Sequence, residues 1–420
     1  MSELECQAAL VRLKRGVPHS QKAEWLPGVP PWRQMVLLLL LGFAGGCRKV
    51  EAPPRAAPPP PRALTAVEVR GLLPEELPDG EGWARDLRGA FEAAGLPADL
   101  ERVCGAVAIV QQESGFQVDP PVPGLAEMVR TRLDELASSL GPPGKAAVQA
   151  LLAERKPGDK RTFAQRLRGL RTERDLDLLF RDMLAAAHAK HPVAYRAAAL
   201  LDGVFRRAQL EDLNPVGTAG SMQVSARWVL SHAPGRYADA DAVRDALFTR
   251  EGGLRWGVQR LWGYEAQYPR ALFRFADYNA GEYASRNAAV QRAVSRLTGR
   301  PLAPDGDLLA YDGHAEPRGE ESEALRALLA FAQDQAGLSA ADVRRDVRLE
   351  KQAAFEASPT YRAIQRAYQA RFGAALPTAE LPDVELSSPK LKSRYTTARY
   401  ARAVNAHFQA CLGRAPPAAH

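Results

Sequence analysis

The sequence predicts an all-α or nearly all-α globular part, and three observations carry that prediction. From about Val67 onward alanine, leucine, arginine and glutamate dominate, and these are strong helix formers. Long apolar–polar alternation of the strand kind is scarce. Apolar residues instead recur at helical spacing, most clearly over 323–336, 360–372 and 395–410. The 420 residues suffice for one large or two ordinary domains. A composition 46% hydrophobic and 25% charged can bury a core without metals or a disulfide framework.

The chain opens on a different kind of segment. Residues 36–43 read VLLLLLGF and run through Ala44, Gly45 and Gly46 into Cys47. That apolar run is shorter than the ~20 residues a bilayer span needs. It has the length of a signal-peptide core, and small residues ahead of a cysteine resemble a lipobox, where bacterial lipoproteins are cleaved and acylated. Ala44 departs from the leucine more usual there, and a buried helix with an incidental cysteine is the plainer alternative. The stretch before Met35 is long and holds Pro18, Pro27, Pro30 and Pro31, which points to a translation start downstream of residue 1. Met35 would be a poor start, because only Arg33 supplies a basic residue ahead of the run. Residues 1–47 are therefore expected to be leader and lipoprotein signal, with Cys47 as the lipidation site. Residues 48–66 follow as a proline-rich tether, since proline runs favour extended chain. Arg48 after the cysteine fits an outer-membrane address facing the periplasm.

Residues 67–415 are the expected globular domain. Within it, 98–113 read ADLERVCGAVAIVQQE. The middle of this helix is apolar on nearly every side, so it is buried. It ends at Gln111, Gln112 and Glu113, and Gly115 can stop it. Burial and the negative end of the helix dipole both favour the protonated form of Glu113, as a general acid requires. A glutamate that simply reaches solvent at a helix end satisfies the same pattern. The charged stretch 154–184 reads as a solvated amphipathic helix pair, or as an extra wall for whatever the domain binds or a docking face for a partner.

Net charge is +7, but basic residues are spread among acidic ones with no compact cluster, so nucleic acid is not an expected partner. No phosphate loop, nucleophile elbow or zinc-binding helix motif occurs, and no cofactor or metal is expected. His188 and His191 lack a patterned third ligand.

Four segments then fall into a familiar order. QQESGF at 111–116 is similar to the glutamate–serine motif of soluble lytic transglycosylases, members of the lysozyme-like superfamily. NPVGTAGSMQVS at 214–225 resembles their second motif, and FADYNAGEYASRN at 275–287 their third. TARYARAV at 397–404 resembles their last helix. The second and third segments also resemble a group of bacterial lipoproteins of unassigned function. Ser221 replaces the usual leucine and Asp277 the usual alanine, and long insertions occupy about 117–213 and 300–392.

The resemblance implies a lytic-transglycosylase-like helical domain acting on peptidoglycan glycan strands. Glu113 would be the catalytic acid and base. Ser114 would bond near it, Met222 would form an apolar wall and Gln223 a polar sugar contact. Tyr278 and Asn279 would line the cleft, and Tyr400 would close it. Gly220 and Gly281 would meet backbone needs. A lysozyme-type hydrolase using Asp277, and a binding or scaffolding lipoprotein without activity, remain as alternatives. If Cys47 is acylated in an oxidising compartment, Cys104 and Cys411 are left as thiols on two helices that meet at the cleft; a disulfide or two buried free cysteines both fit. Protein partners are not legible.

Overall fold

The computed structural model describes residues 62–139, 141–190, 214–312, 317–386 and 395–416. The signal-like run, Cys47 and most of the proline-rich segment lie outside these residues. What is described is mainly helical, with two short two-stranded hairpins.

The central layer is built from helices far apart in sequence. Helix α1 (Ala66–Leu72) leads into α2 (Gly80–Ala93) and α3 (Leu100–Ser114). Asp99 starts α3 by accepting from the Arg102 backbone N–H at 3.0 Å. From Val103 to Val110 every residue of α3 is buried, so no polar face survives in the middle of the helix. The chain then passes through α4 (Leu125–Ser139), α5 (Gly141–Ala153), α6 (Phe163–Arg168) and α7 (Glu173–Lys190). It returns as a hairpin, β1 (Thr218–Ala219) against β2 (Val224–Ser225), with Thr218 opposite Ser225. Helices α8 (Ala226–His232), α9 (Ala240–Leu247), α10 (Arg250–Trp262), α11 (Ala271–Ala280) and α12 (Ala284–Thr298) follow. The second insertion contributes α13 (Glu323–Phe331), α14 (Ala340–Val347) and α15 (Pro359–Phe372). A hairpin of β3 (Glu385–Leu386) and β4 (Tyr395–Thr396) then delivers the last helix, α16 (Thr397–Leu412).

Helix α16 packs along both α3 and α11, and α10 packs on α2. Their inward faces make one core that includes Leu87, Val107, Ile109, Val258, Phe275 and Val404. Cys104 of α3 and Cys411 of α16 are joined by a disulfide, with Cα atoms 5.5 Å apart.

The two insertions have cores of their own. The charged stretch of the first folds as α6 and α7, which bury Phe163, Leu167, Leu176 and Leu179. Asp177 of α7 is fully buried, and its carboxylate takes Arg174, Arg181 and the Asn214 amide. That bond ties the first insertion to the start of the second motif. The second insertion packs Leu325, Phe331, Val343 and Ile364 against Val290 and Val294 of α12. Arg286 and Asn287 pin it further: Asn287 donates to the Glu350 carboxylate at 3.1 Å, and Arg286 donates to the Gln352 carbonyl at 2.9 Å. The last residues of the third motif thus hold the fold together rather than face a ligand.

Candidate active site

Glu113 is half-buried on the last turn of α3. Beyond it Gly115 and Phe116 both adopt positive φ, 57° and 62°. The chain turns sharply, and Phe116 seats edge-on against Trp83 with ring centroids 5.2 Å apart. Ser114 is buried, and its hydroxyl lies 3.0 Å from the Val110 carbonyl and 2.9 Å from the Ser221 carbonyl. The first motif is thereby fixed to the second.

The second motif is the turn between β1 and β2. Gly220 has φ 80°, and a Cβ there would lie 2.1 Å from the Leu247 carbonyl oxygen, so only glycine fits. Met222 differs from the apolar cleft wall expected of it. Its side chain is fully buried against Gly257, where a Cβ would meet its sulfur at 2.1 Å. What Met222 gives the site is its carbonyl, which accepts the Tyr278 hydroxyl at 2.7 Å. Gln223, at φ 50°, turns its amide back on its own hairpin, accepting from Thr218 at 2.8 Å.

The third motif ends α11. Asn279 accepts from the Thr397 hydroxyl at 3.0 Å, and Gly281 at φ 109° breaks the helix. Thr397 and Tyr400 lie three residues apart on one face of α16. While Thr397 reaches Asn279, the Tyr400 hydroxyl donates to Oε1 of Glu113. All four motif segments are therefore linked by hydrogen bonds around Glu113.

Asp277 does not join them. It is buried, and its carboxylate accepts from Tyr264 at 3.0 Å, Tyr268 at 2.6 Å and the Ser285 N–H at 2.6 Å. The last of these caps α12, whose own N-cap residue, Tyr283, makes no side-chain cap. Burial raises the carboxyl above its ordinary value, and its hydrogen bonds only partly oppose that.

Three tyrosines feel the Glu113 charge. Burial raises the Tyr400 hydroxyl well above its ordinary value, and Glu113 adds to it by charge and by hydrogen bond. Burial likewise raises Tyr278, with Arg260 opposing and Glu113 adding. The third is Tyr395 on β4, raised by burial and Glu113 against the pull of Arg399. Tyr395 and Arg260 were not among the residues expected from sequence. Arg260 stands over the rings of Tyr278 and Trp228, at 5.3 and 5.6 Å, and donates to the Tyr278 carbonyl at 3.0 Å. Neither lies in a motif segment; only the β4 strand and the α10 packing bring them in. Among the described residues no cluster of metal-ligating side chains occurs.

Comparison with known proteins gives a sequence match and no structural one. The chain is 34% identical over 386 residues to "Uncharacterized protein YaiW" of Escherichia coli (strain K12), covering 91% of this chain and 99% of that protein. No solved structure matches. The family described as "Protein of unknown function (DUF1615)" matches residues 76–414. With most of its globular part matched and a full-length relative at this identity, the chain belongs to the DUF1615 family.

Proposed function

We propose that this protein is a peptidoglycan lytic transglycosylase of lysozyme-like fold, held at the bacterial envelope by an acyl group on Cys47. The observation that carries the reading is the Tyr400–Glu113 hydrogen bond, set where the four motif segments converge. A carboxyl held at the end of a buried helix, among three tyrosines, suits an acid that must both give and take one proton.

Glu113 would protonate the oxygen bridging N-acetylmuramic acid and N-acetylglucosamine. That bond breaks, the N-acetylglucosamine leaves as an alcohol, and the muramoyl acetamido group stabilises the cation. The Glu113 carboxylate would then accept the proton of the muramoyl C6 hydroxyl. Its oxygen closes on C1 as a 1,6-anhydro ring, so no water is consumed. Tyr400 would hold the carboxylate in place, and Tyr278, braced on the Met222 carbonyl, would support the cleft floor. A hydrolase would need a second carboxylate to activate water. The third motif segment holds two others: the oxygens of Asp277 are already taken by Tyr264, Tyr268 and Ser285, and Glu282 accepts from the Trp228 indole N–H at 3.0 Å.

The test is mass analysis of products from purified peptidoglycan. Anhydromuramoyl ends are expected, with no new reducing ends. Glu113→Gln keeps the shape but removes the titratable proton, and turnover should fall by about 10²–10⁴-fold or more. Reducing ends would make the protein a hydrolase. Glycan binding without either product would make it a binding lipoprotein.

A further inference from the structure

Between the end of α2, α8 and α10 lies a hollow of about 260 Å³ lined by Ala93, Ala94, His232, Arg255, Trp256 and Gln259. Its volume is just below the ~300–1,000 Å³ of pockets that enclose a drug-sized ligand, so it suits a small group. Ring and cation contacts connect its lining to Tyr278. Trp228 stacks on His232 at 4.1 Å and meets Trp256 edge-on at 6.5 Å, and on its other side carries Arg260, which packs on Tyr278.

Arg255 is half-buried, yet among the described residues its guanidinium has no hydrogen bond and no carboxylate partner. Glu251 lies one turn earlier on the same helix and does not pair with it. Half-buried arginines elsewhere in the domain are satisfied: Arg250 binds Asp79 and Asp86, and Arg181 binds Asp177. Arg236 adds a second cation over the same ring, 5.9 Å from the Trp256 centroid against 5.6 Å for Arg255. Two guanidiniums sharing one indole repel each other until an anion joins them. The Gln259 amide, also lining the hollow, has no partner among the described residues either.

We propose that this hollow binds a carboxylate-bearing peptide, with Arg255 taking the carboxylate and Gln259 the neighbouring peptide unit. A guanidinium matches a carboxylate with two parallel hydrogen bonds. A primary amide both donates and accepts, which is what a peptide N–H and carbonyl require. A bare phosphate would leave the acceptor of Gln259 unused, and a neutral sugar would leave the two cations uncompensated. If the glycan reading holds, the peptide is the acidic stem that branches from the strand beside the scissile bond; the identity of the stem rests on that reading, the carboxylate site does not.

The experiment is calorimetric titration of the full-length protein with acetyl-Ala-Glu-Ala carrying a free C-terminus. Acetyl-Ala-Gln-Ala-amide serves as the uncharged twin. The charged peptide should bind at least about tenfold more tightly, as a charge-assisted pair implies. Arg255→Ala should remove that preference, and Arg255→Lys should restore only part of it, since lysine lacks the fork. Gln259→Ala should weaken both peptides and gives a second variant should Arg255→Ala not fold. Equal affinity for the two peptides overturns the proposal, as does unchanged binding by a folded Arg255→Ala variant, or inorganic phosphate binding as tightly as the peptide. Glu113→Gln should bind peptide like the wild type. A wild-type protein that selects the charged peptide but never cuts glycan would sink the proposed activity and leave this site standing.

Discussion

Ser221 is fully buried, and among the described residues its hydroxyl has no hydrogen-bond partner. A leucine, usual at this place in the resembled family, would have to enter space held by α10, where a Cβ on Gly253 would already sit 3.2 Å from the Ser221 oxygen. Serine is small enough for that close approach but leaves an orphan polar atom, which costs about 1–3 kcal/mol. Ser221→Ala is expected to raise stability by about 1 kcal/mol, read as a higher urea midpoint with unchanged slope. A lower midpoint would mean the hydroxyl has a partner after all. At this scale the sequence was legible where chemistry and order carry meaning. Glu113, Ser114, Asn279 and Tyr400 stand in motif segments, and hydrogen bonds link all four of those segments. It was not legible where the question was which way a side chain points. Met222 lies in the β1–β2 turn and Tyr278 in α11, yet one contributes a carbonyl and the other a hydroxyl, and the burial of the Met222 side chain against Gly257 decides that.

Helices α3 and α16 form an antiparallel pair tied at both ends. Glu113 and Tyr400 meet at one end, and Cys104 and Cys411 at the other. From Cys104 to Glu113 is about 13 Å along a helix, and from Tyr400 to Cys411 about 16 Å, so both ties fit one register. A slip of one turn, about 5.4 Å, would carry the Tyr400 hydroxyl away from the carboxylate. The disulfide thus acts on the site as well as on stability. Replacing both cysteines with serine is expected to lower unfolding free energy by about 2–4 kcal/mol. Turnover should fall as well under conditions where the variant is still folded. A variant that unfolds at the wild-type denaturant concentration would remove the disulfide from this account. The buried α3 was readable from its unbroken apolar centre and its Gly115 end. The hairpins were not, because two-residue strands carry no periodicity.

For the molecule as a whole, composition and helical spacing sufficed to predict a mainly helical domain, while the mutual placement of its parts was beyond reach of the sequence. The insertions dock through buried polar centres, Asp177 for the first and Glu350 for the second. Glu350 gathers Asn287, Tyr311 and the N–H groups of Leu308 and Leu309, and no local pattern announces such a gathering. Among the described residues no helix is long and apolar enough to cross a membrane. The expected tether 48–66 is shorter than its bounds, because Leu64 donates to the Ala98 carbonyl, Thr65 caps α1 and Ala66 is its first residue; attachment at Cys47 would leave the proline-rich residues before them as the link. Cys47→Ser should move the protein from the detergent to the aqueous phase in a partition assay. Equal partition of variant and wild type would end the lipoprotein reading.

The distance in sequence between Glu113 and Tyr400 has a consequence for biosynthesis. The two residues are 287 positions apart. At about 5–20 residues per second, roughly 15–60 s separate their emergence from the ribosome. During that interval α3 exists without the helix that buries it, and its acid has no tyrosine to hold it. The site consequently cannot assemble until α16 has emerged. A ribosome that stalls or a protease that trims before α16 yields a product with Glu113 and no assembled site.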